Sequence, residues 1–302
     1  MKDGKLKRSL LTIWDKIYYA KELWHVRKNY GLSVMTAEET IAYIKEHQCS
    51  ISRYGDGEFS LMLQYGAPGF QMSSSAMAEG LRGVLENIPQ NLLICVPSYI
   101  ISTRGLKKEG KLFWEAWALE HQQDTIETIR KLAGVSYRFG DAALSRPYSP
   151  YKTSYFAKKM FPLLKSLWED RNLLIVEGIQ TRLGVGNDLL VNARSIKRIL
   201  GPAENAYDSY AKILQAVLSH YNGELVILAL GPTATVLAAD LSRKGIQALD
   251  LGHIDIQYEW YLSKAQSFRP VPGKYTNEAT DGRNVSECYD EAYLSQIIYT
   301  VI

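Results

Sequence analysis

Apolar and polar positions follow two periods along this chain. In residues 6–28, Leu6, Leu10, Ile13, Trp14, Ile17, Ala20 and Trp24 recur at spacings of three and four, with Lys16, Lys21 and Lys28 off the stripe. That period predicts an amphipathic helix with a basic face. Thr36-Ala-Glu-Glu-Thr has the N-cap and early acids that open a second helix. Short apolar runs at 49–53, 92–96, 173–176, 225–230 and 247–251 predict strands, and helical patterns cover 76–88, 111–132, 207–221 and about 234–243. Strands alternating with helices imply an α/β protein with a mostly parallel sheet and flanking helices. No internal repeat or low-complexity linker splits the chain. The expectation is an N-terminal extension over 1–32 followed by a single domain over 33–302. The segment 270–290 is polar and turn-rich, which suits a loop over a site.

Chemistry gathers at the predicted strand ends, where open α/β sheets bind ligands. Residues 51–59 read Ile-Ser-Arg-Tyr-Gly-Asp-Gly-Glu-Phe. Here Asp56 and Glu58 are interleaved with Gly55 and Gly57, on what reads as a loop leaving a strand. Two carboxylates at that spacing can point the same way and suit Mg²⁺ or Mn²⁺, which takes hard oxygen ligands and substrate phosphates. Arg53 could grip a phosphate in bidentate fashion. The plainer alternative is a tight turn with solvated acids. Residues 225–241 read as strand, glycine turn and helix start, so backbone N–H groups beyond Gly231, with the hydroxyls of Thr233 and Thr235, could hold a phosphate. The segment lacks the Lys-Ser/Thr of a Walker loop and the spaced glycines of a dinucleotide fingerprint. An ordinary strand-to-helix turn is the alternative. A further strand end runs from Glu177 through Arg182 to a glycine-rich turn carrying Asn187 and Asp188, which could equally be helix N-caps. His253 and Asp255 follow another strand, with Asp250 and Glu259 nearby, a grouping suited to proton transfer or to a metal. His25, His47, His121 and His220 lie on predicted helices without such company and read as structural.

Charge narrows the range of partners. The 302 residues carry a net +3, but residues 1–30 hold eight Lys and Arg against three acids, so the remainder is slightly acidic. This excludes a generally basic nucleic-acid binder. The basic N-terminal stripe could rest on an anionic membrane face or pack on the body of the protein. Cys49, Cys95 and Cys288 have neither metal-site nor redox-motif spacing, which fits a reducing, cytoplasmic setting. No apolar run is long enough to span a bilayer, and no signal-peptide pattern is present. Twenty tyrosines and six tryptophans leave many rings available to stack on sugars or bases, beyond those that pack the core.

Five motifs in order resemble one known family. They are Arg-Tyr-Gly-Asp-Gly-Glu at 53–58, Ser-Arg-Pro at 145–147, Glu-Gly at 177–178 with Arg-Leu-Gly-Val-Gly-Asn-Asp at 182–188, Gly-Pro-Thr-Ala-Thr-Val-Leu-Ala at 231–238, and Gly-His-Ile-Asp-Ile-Gln-Tyr-Glu-Trp at 252–260. Together they resemble the GT-D-type glycosyltransferases over roughly 35–275. The resemblance implies a Rossmann-like α/β fold, a UDP-sugar donor such as UDP-glucose, and an Asp-X-Glu motif that binds Mn²⁺ or Mg²⁺ together with the nucleotide diphosphate. Asp56 and Glu58 match that motif. The expected donor-binding set is Arg53, Tyr54, Gly55, Gly231, Thr233, Thr235, Arg182, Asn187 and Asp188, with His253, Asp255 and Glu177 as possible bases. The acceptor would be a glycan on a protein or lipid carrier, the latter at the inner face of the cell membrane. Two other readings of the residues are a metal-dependent phosphohydrolase of nucleotide-sugars and a non-catalytic UDP-sugar-binding partner of a glycosylation complex.

Overall fold

The computed structural model describes residues 31–301. The predicted helix over 6–28 and its membrane contact therefore lie outside the described residues. In chain order the elements are β1 (Ser33–Val34), α1 (Ala37–His47), β2 (Ser50–Arg53), α2 (Asp56–Leu63), α3 (Ser75–Glu86), β3 (Leu92–Val96), α4 (Lys108–Ala133), β4 (Arg138–Asp141), α5 (Tyr155–Lys165), β5 (Asn172–Gly178), β6 (Ser195–Gly201), α6 (Tyr210–His220), β7 (Leu225–Ala229), α7 (Pro232–Arg243), β8 (Ala248–Asp250), α8 (Ile254–Leu262), α9 (Glu291–Gln296) and β9 (Ile297–Thr300). The nine strands form one sheet in the order β1-β4-β3-β2-β8-β7-β5-β6-β9. Every pairing in it is parallel. The α/β expectation holds.

Strand periodicity explains the two-faced core. Along β5, Leu173 and Ile175 enter one apolar cluster while Leu174 and Val176 enter another on the opposite face. Along β7, Leu225 and Ile227 join the first cluster and Val226 and Leu228 the second. Alternate residues point to opposite faces, and helices cover both, so these strands are apolar throughout. α1, α5 and α8 pack on the first face, with Trp168 and Trp260 fully buried among them. On the other face α6 and α7 cover one half of the sheet, and α3 and α4 cover the other. α1 starts where the sequence indicates: Thr36 Oγ1 accepts the Glu39 N–H at 3.1 Å, and Glu39 Oε2 accepts the Thr36 N–H at 2.8 Å.

Topology locates the site. From β2 the chain passes to β3 on one side, whereas from β8 it passes through α8 to β9 at the far edge on the other. The connections leave these neighbouring strands in opposite directions. That opens a crevice above the carboxyl ends of β2 and β8.

Candidate active site

The floor of the crevice is a hydrogen-bonded lattice joining β2, β8 and α7. Arg53, the last residue of β2, reaches across to Asp250, the last residue of β8. Its Nη2 lies 2.8 Å and its Nε 3.2 Å from Asp250 Oδ1, and Nε also donates to the Asp250 carbonyl at 2.7 Å. Nη1 donates to Ser145 Oγ at 2.7 Å. Thr235 Oγ1 donates to the Arg53 carbonyl at 2.9 Å and approaches Asp250 Oδ2 at 3.3 Å. Gly252 follows with φ +43, and a Cβ there would collide with Arg53 Nη2, so this position favours glycine on both counts.

These contacts correct several expectations. The Arg53 guanidinium lines the crevice but is already committed to Asp250 and Ser145. Tyr54 is buried, donates its hydroxyl to the Leu81 carbonyl at 2.7 Å and packs on Phe59, so it is a core residue. Burial pushes its phenol well above the usual range. Thr233 and Thr235 are likewise buried inside α7. Of that turn only Gly231 faces the crevice. Its φ of +55 and the Phe70 ring packed against it leave no room for a Cβ.

Asp56 and Glu58 do not lie on a loop. They are the first and third residues of α2, and only Tyr54 and Gly55 separate β2 from that helix. Glu58 Oε2 accepts the Gly55 N–H at 2.8 Å and so closes the helix start. Residues two apart on a helix face different ways, but helical side chains lean toward the N-terminus, and both carboxyl groups line the crevice at the leading end of α2. Burial pushes the Glu58 carboxyl up to about 7, with Arg53 acting against the rise and Asp250 adding to it. Asp56 is exposed, and its carboxylate has no partner among the described residues.

The remaining predicted residues divide into two groups. Glu177 is fully buried beneath the post-β5 loop, paired with Arg198 Nη1 at 2.5 Å and accepting the Leu183 N–H at 2.7 Å. It does not line the crevice, which removes it as a base. Arg182 donates to the carbonyls of Gly273 and Ser286, each at 2.7 Å. Asn187 bridges Asp255 at 2.8 Å and Glu259 at 2.7 Å. Asp188 pairs with Lys165 at 2.8 Å and accepts from Tyr258 at 2.6 Å. These three brace the surroundings rather than face the crevice. Asp255 and His253 do line it. Asp255 is buried against Lys274 Nζ at 2.6 Å, and His253 Nε2 lies 2.6 Å from Glu278 Oε2.

Reading residues alone missed Arg146, Tyr99, Trp114, Glu204 and Glu278 in the lining. Two signals pointed toward them: the Ser-Arg-Pro at 145–147, and the polar segment 270–290, from which Tyr275, Asn277 and Glu278 do reach over the crevice. Tyr99 and Trp114 form an aromatic wall with ring centroids 5.1 Å apart.

The charges in the crevice can be followed one at a time. Its lining carboxylates are Asp56, Glu58, Glu204, Asp255 and Glu278. Glu204 accepts from Tyr275 at 2.6 Å and faces Arg283 at 3.4 Å. Asp255 has Lys274, and Glu278 has both Arg146 and His253. Only Asp56 and Glu58 form no ion pair among the described residues, although Arg146 acts on Asp56 and Arg53 on Glu58 through their charge. Two carboxylates on the first turn of α2, one exposed and one with its pKa raised by burial, fit a hard divalent cation. No group of three or more His, Cys, Asp or Glu side chains converges among the described residues, so the protein builds no closed metal cage there.

An open parallel α/β sheet with a ligand crevice at a topological switch point defines the class of protein. Residues 51–279 match the glycosyltransferase GT-D fold family, and the chain belongs to it. It is 36% identical over 268 residues to the probable glycosyl transferase Gly of Streptococcus gordonii, covering 88% of this chain and 38% of that protein. It is 34% identical over 272 residues to the glycosyltransferase GlyD of Streptococcus pneumoniae, covering 90% of this chain and 33% of that one. The chain thus spans little more than a third of the curated relatives it matches. Among solved structures, it superposes with a TM-score of 0.85 and 33% identity on the highly conserved domain of unknown function 1792, described as a distinct glycosyltransferase fold, covering 93% of this chain and all of the other. A glycosyltransferase of that domain type from Streptococcus sanguinis gives 0.81 at 34% identity, covering 90% of this chain and all of its own. No helix of the described residues is long and apolar enough to cross a membrane.

Proposed function

We propose that this chain is a hexosyltransferase that uses a UDP-sugar, with glucose as the leading candidate sugar, and delivers the sugar to a glycan acceptor on a protein or lipid carrier. The observation that carries this reading is that Asp56 and Glu58 form no ion pair among the described residues, in a crevice whose other carboxylates are all directly paired. Asp56 and Glu58 would hold Mn²⁺ or Mg²⁺. When bound, such an ion supplies Lewis-acid stabilisation of the charge that develops on the departing diphosphate. The chain's own groups do the rest. The N-terminus of α2 favours anionic groups nearby through its dipole. Arg53 keeps the β2 and β8 ends in register beneath them. Tyr99 and Trp114, both largely buried, close one side of the crevice as an apolar wall. Asp255, a carboxylate that lines the crevice, is the candidate to take the acceptor's proton.

The test is donor turnover. Purified protein is mixed with a panel of UDP-sugars and Mn²⁺, with and without EDTA, and with glucosyl or N-acetylglucosaminyl acceptors, and UDP release is read. Chelator-sensitive release with one donor, increased by an acceptor, is expected. Release that no acceptor diverts into transfer would replace transfer with hydrolysis. Tight UDP-sugar binding with no turnover would replace it with a binding role.

A further inference from the structure

The strap over the crevice is pinned at both sides and projects one carboxylate inward. Lys274 anchors it to α8 through Asp255 at 2.6 Å and Glu259 at 3.0 Å. Arg182 holds the Gly273 and Ser286 carbonyls. Tyr275 and Arg283 tie it to Glu204 beyond β6. Between these anchors Glu278 enters the crevice, where Oε1 accepts from Arg146 Nη2 at 2.9 Å and Oε2 lies 2.6 Å from His253 Nε2.

Three details set this cluster apart from an ordinary ion pair. First, among the described residues the crevice lining holds three side chains able to carry positive charge, Arg53, Arg146 and His253, and Arg53 is bound to Asp250. Glu278 therefore holds both of the others. Second, the fit is incomplete. His253 Nε2 and Glu278 Oε2 are close but poorly aligned for a hydrogen bond, and His253 Nδ1 is buried with no partner among the described residues. Buried polar atoms without partners are costly, and a ligand that satisfies them gains that energy. Third, Arg146 uses only Nη2 for a side-chain hydrogen bond and leaves the rest of its planar fork unused. A fork of that shape matches two oxygens of a phosphate.

We propose that Arg146 and His253 form an anion-binding pair for the diphosphate of the donor, and that Glu278 occupies this pair as an internal anion until the donor displaces it. The proposal rests on reading the crevice as a nucleotide-sugar site. A carboxylate offers one charge and two oxygens. A diphosphate offers more of both, so it can fill the unused donors on Arg146 and reach His253 at the same time. Release of Glu278 requires only rotation of its side chain, because Lys274, Arg182 and Tyr275 hold the strap backbone independently. The device also favours ligands with a diphosphate over a bare sugar or nucleoside, which lack the charge to compete with Glu278.

The experiment is calorimetric titration of the full-length protein in one millimolar-range Mg²⁺ buffer with three probes: UDP, inorganic pyrophosphate and uridine. Arg146→Met is expected to weaken UDP and pyrophosphate about tenfold or more, as for the loss of a charge-assisted bidentate contact, and to leave any uridine binding unchanged. Arg146→Lys, which keeps the charge without the fork, falls between. Glu278→Gln is expected to tighten UDP and pyrophosphate several-fold, because a neutral amide competes less well. Arg146→Met with both affinities unchanged, or Glu278→Gln with both weakened, overturns the proposal while leaving the donor-site reading in place. Wild-type protein that binds pyrophosphate but not UDP, with the same variant pattern, upholds the anion pair and rejects the UDP-sugar reading.

Discussion

Replacing Arg53 with methionine separates an architectural role from a ligand-binding one. The guanidinium makes three contacts to Asp250, at 2.7, 2.8 and 3.2 Å, and one to Ser145 at 2.7 Å. Asp250 is 1% exposed, so Arg53→Met strands a buried carboxylate. Removing one partner of a buried pair costs about 3–5 kcal/mol. The lower end applies here, because the Arg53 N–H at 3.1 Å and Thr235 Oγ1 at 3.3 Å still reach Oδ2. At roughly 2 °C per kcal/mol for a domain of this size, the melting temperature falls by about 6 °C. Arg53→Lys recovers part of the loss, since an ammonium supplies the charge without the fork. Adding Asp250→Asn to Arg53→Met costs less than the sum of the two single changes, because the stranded charge is gone. Thermal unfolding with and without UDP reads all three. An Arg53→Met protein that melts as the wild type does, yet binds UDP about tenfold more weakly, would show that Arg53 serves the phosphate and refute this assignment.

Asp56→Ala abolishes transfer while changing stability by no more than about 0.5 kcal/mol, because the side chain is exposed and unpartnered. Glu58→Ala also abolishes transfer but costs about 1 kcal/mol, because the Gly55 N–H loses its acceptor. Near-normal turnover of either purified variant would remove the metal assignment. The Glu58 carboxyl, pushed up from 4.5 to about 7 chiefly by burial, holds its proton more tightly in the folded state. The resulting stabilisation is full below pH 4.5 and is lost as pH rises through about 7. In metal-free buffer Glu58→Gln therefore gains in melting temperature on the wild type across that window, and parallel pH profiles would contradict it. A cation must displace that proton, so added Mg²⁺ raises the wild-type melting temperature more above pH 7 than below it.

Burial on both faces made much of the sheet legible. β2, β3, β5 and β7 are covered on either side by helices, so their apolar runs stand out against any background. β6 reads Ser-Ile-Lys-Arg-Ile-Leu-Gly and conceals itself, because Arg198 is buried through partners elsewhere in the chain: Glu177 on the neighbouring strand, the Leu183 carbonyl, Gln296 and the Tyr293 ring. β4 is four residues long and contains Gly140, where a Cβ would meet Cys95, Leu93 and Thr40 closely. β9 reads Ile-Ile-Tyr-Thr and does carry a strand-like apolar run, but it is a four-residue edge strand with three residues exposed, and no glycine turn or alternating pattern sets it off from the helix before it. The Asp56–Leu63 helix was hidden by Gly55 and Gly57, which propensity assigns to a turn. Burial of Phe59, Leu61 and Met62, together with the cap from Glu58 to Gly55, overrides that weak local preference.

The site follows a different logic, because what a strand-end residue does depends on which distant residue reaches it first. Arg53, Glu177 and Asp188 have the side chains of ligand-binding residues, yet Asp250, Arg198 and Lys165 claim them from segments between 21 and 197 positions away. Asn187 is held in the same way by Asp255 and Glu259. No local pattern records such pairings. Once they are made, the same accounting turns from an obstacle into a guide. Asp56 is exposed and keeps its hydration, but Glu58 two residues on is desolvated, and a bound cation would supply the positive charge it lacks. Asp56 and Glu58 are the ones left over, and Arg146 and His253, shared around a single glutamate, keep donors not yet fully used. On the function proposed above, a metal-bound diphosphate would bring a divalent cation toward the first set and anionic oxygens toward the second, which joins the two halves of the crevice in one ligand.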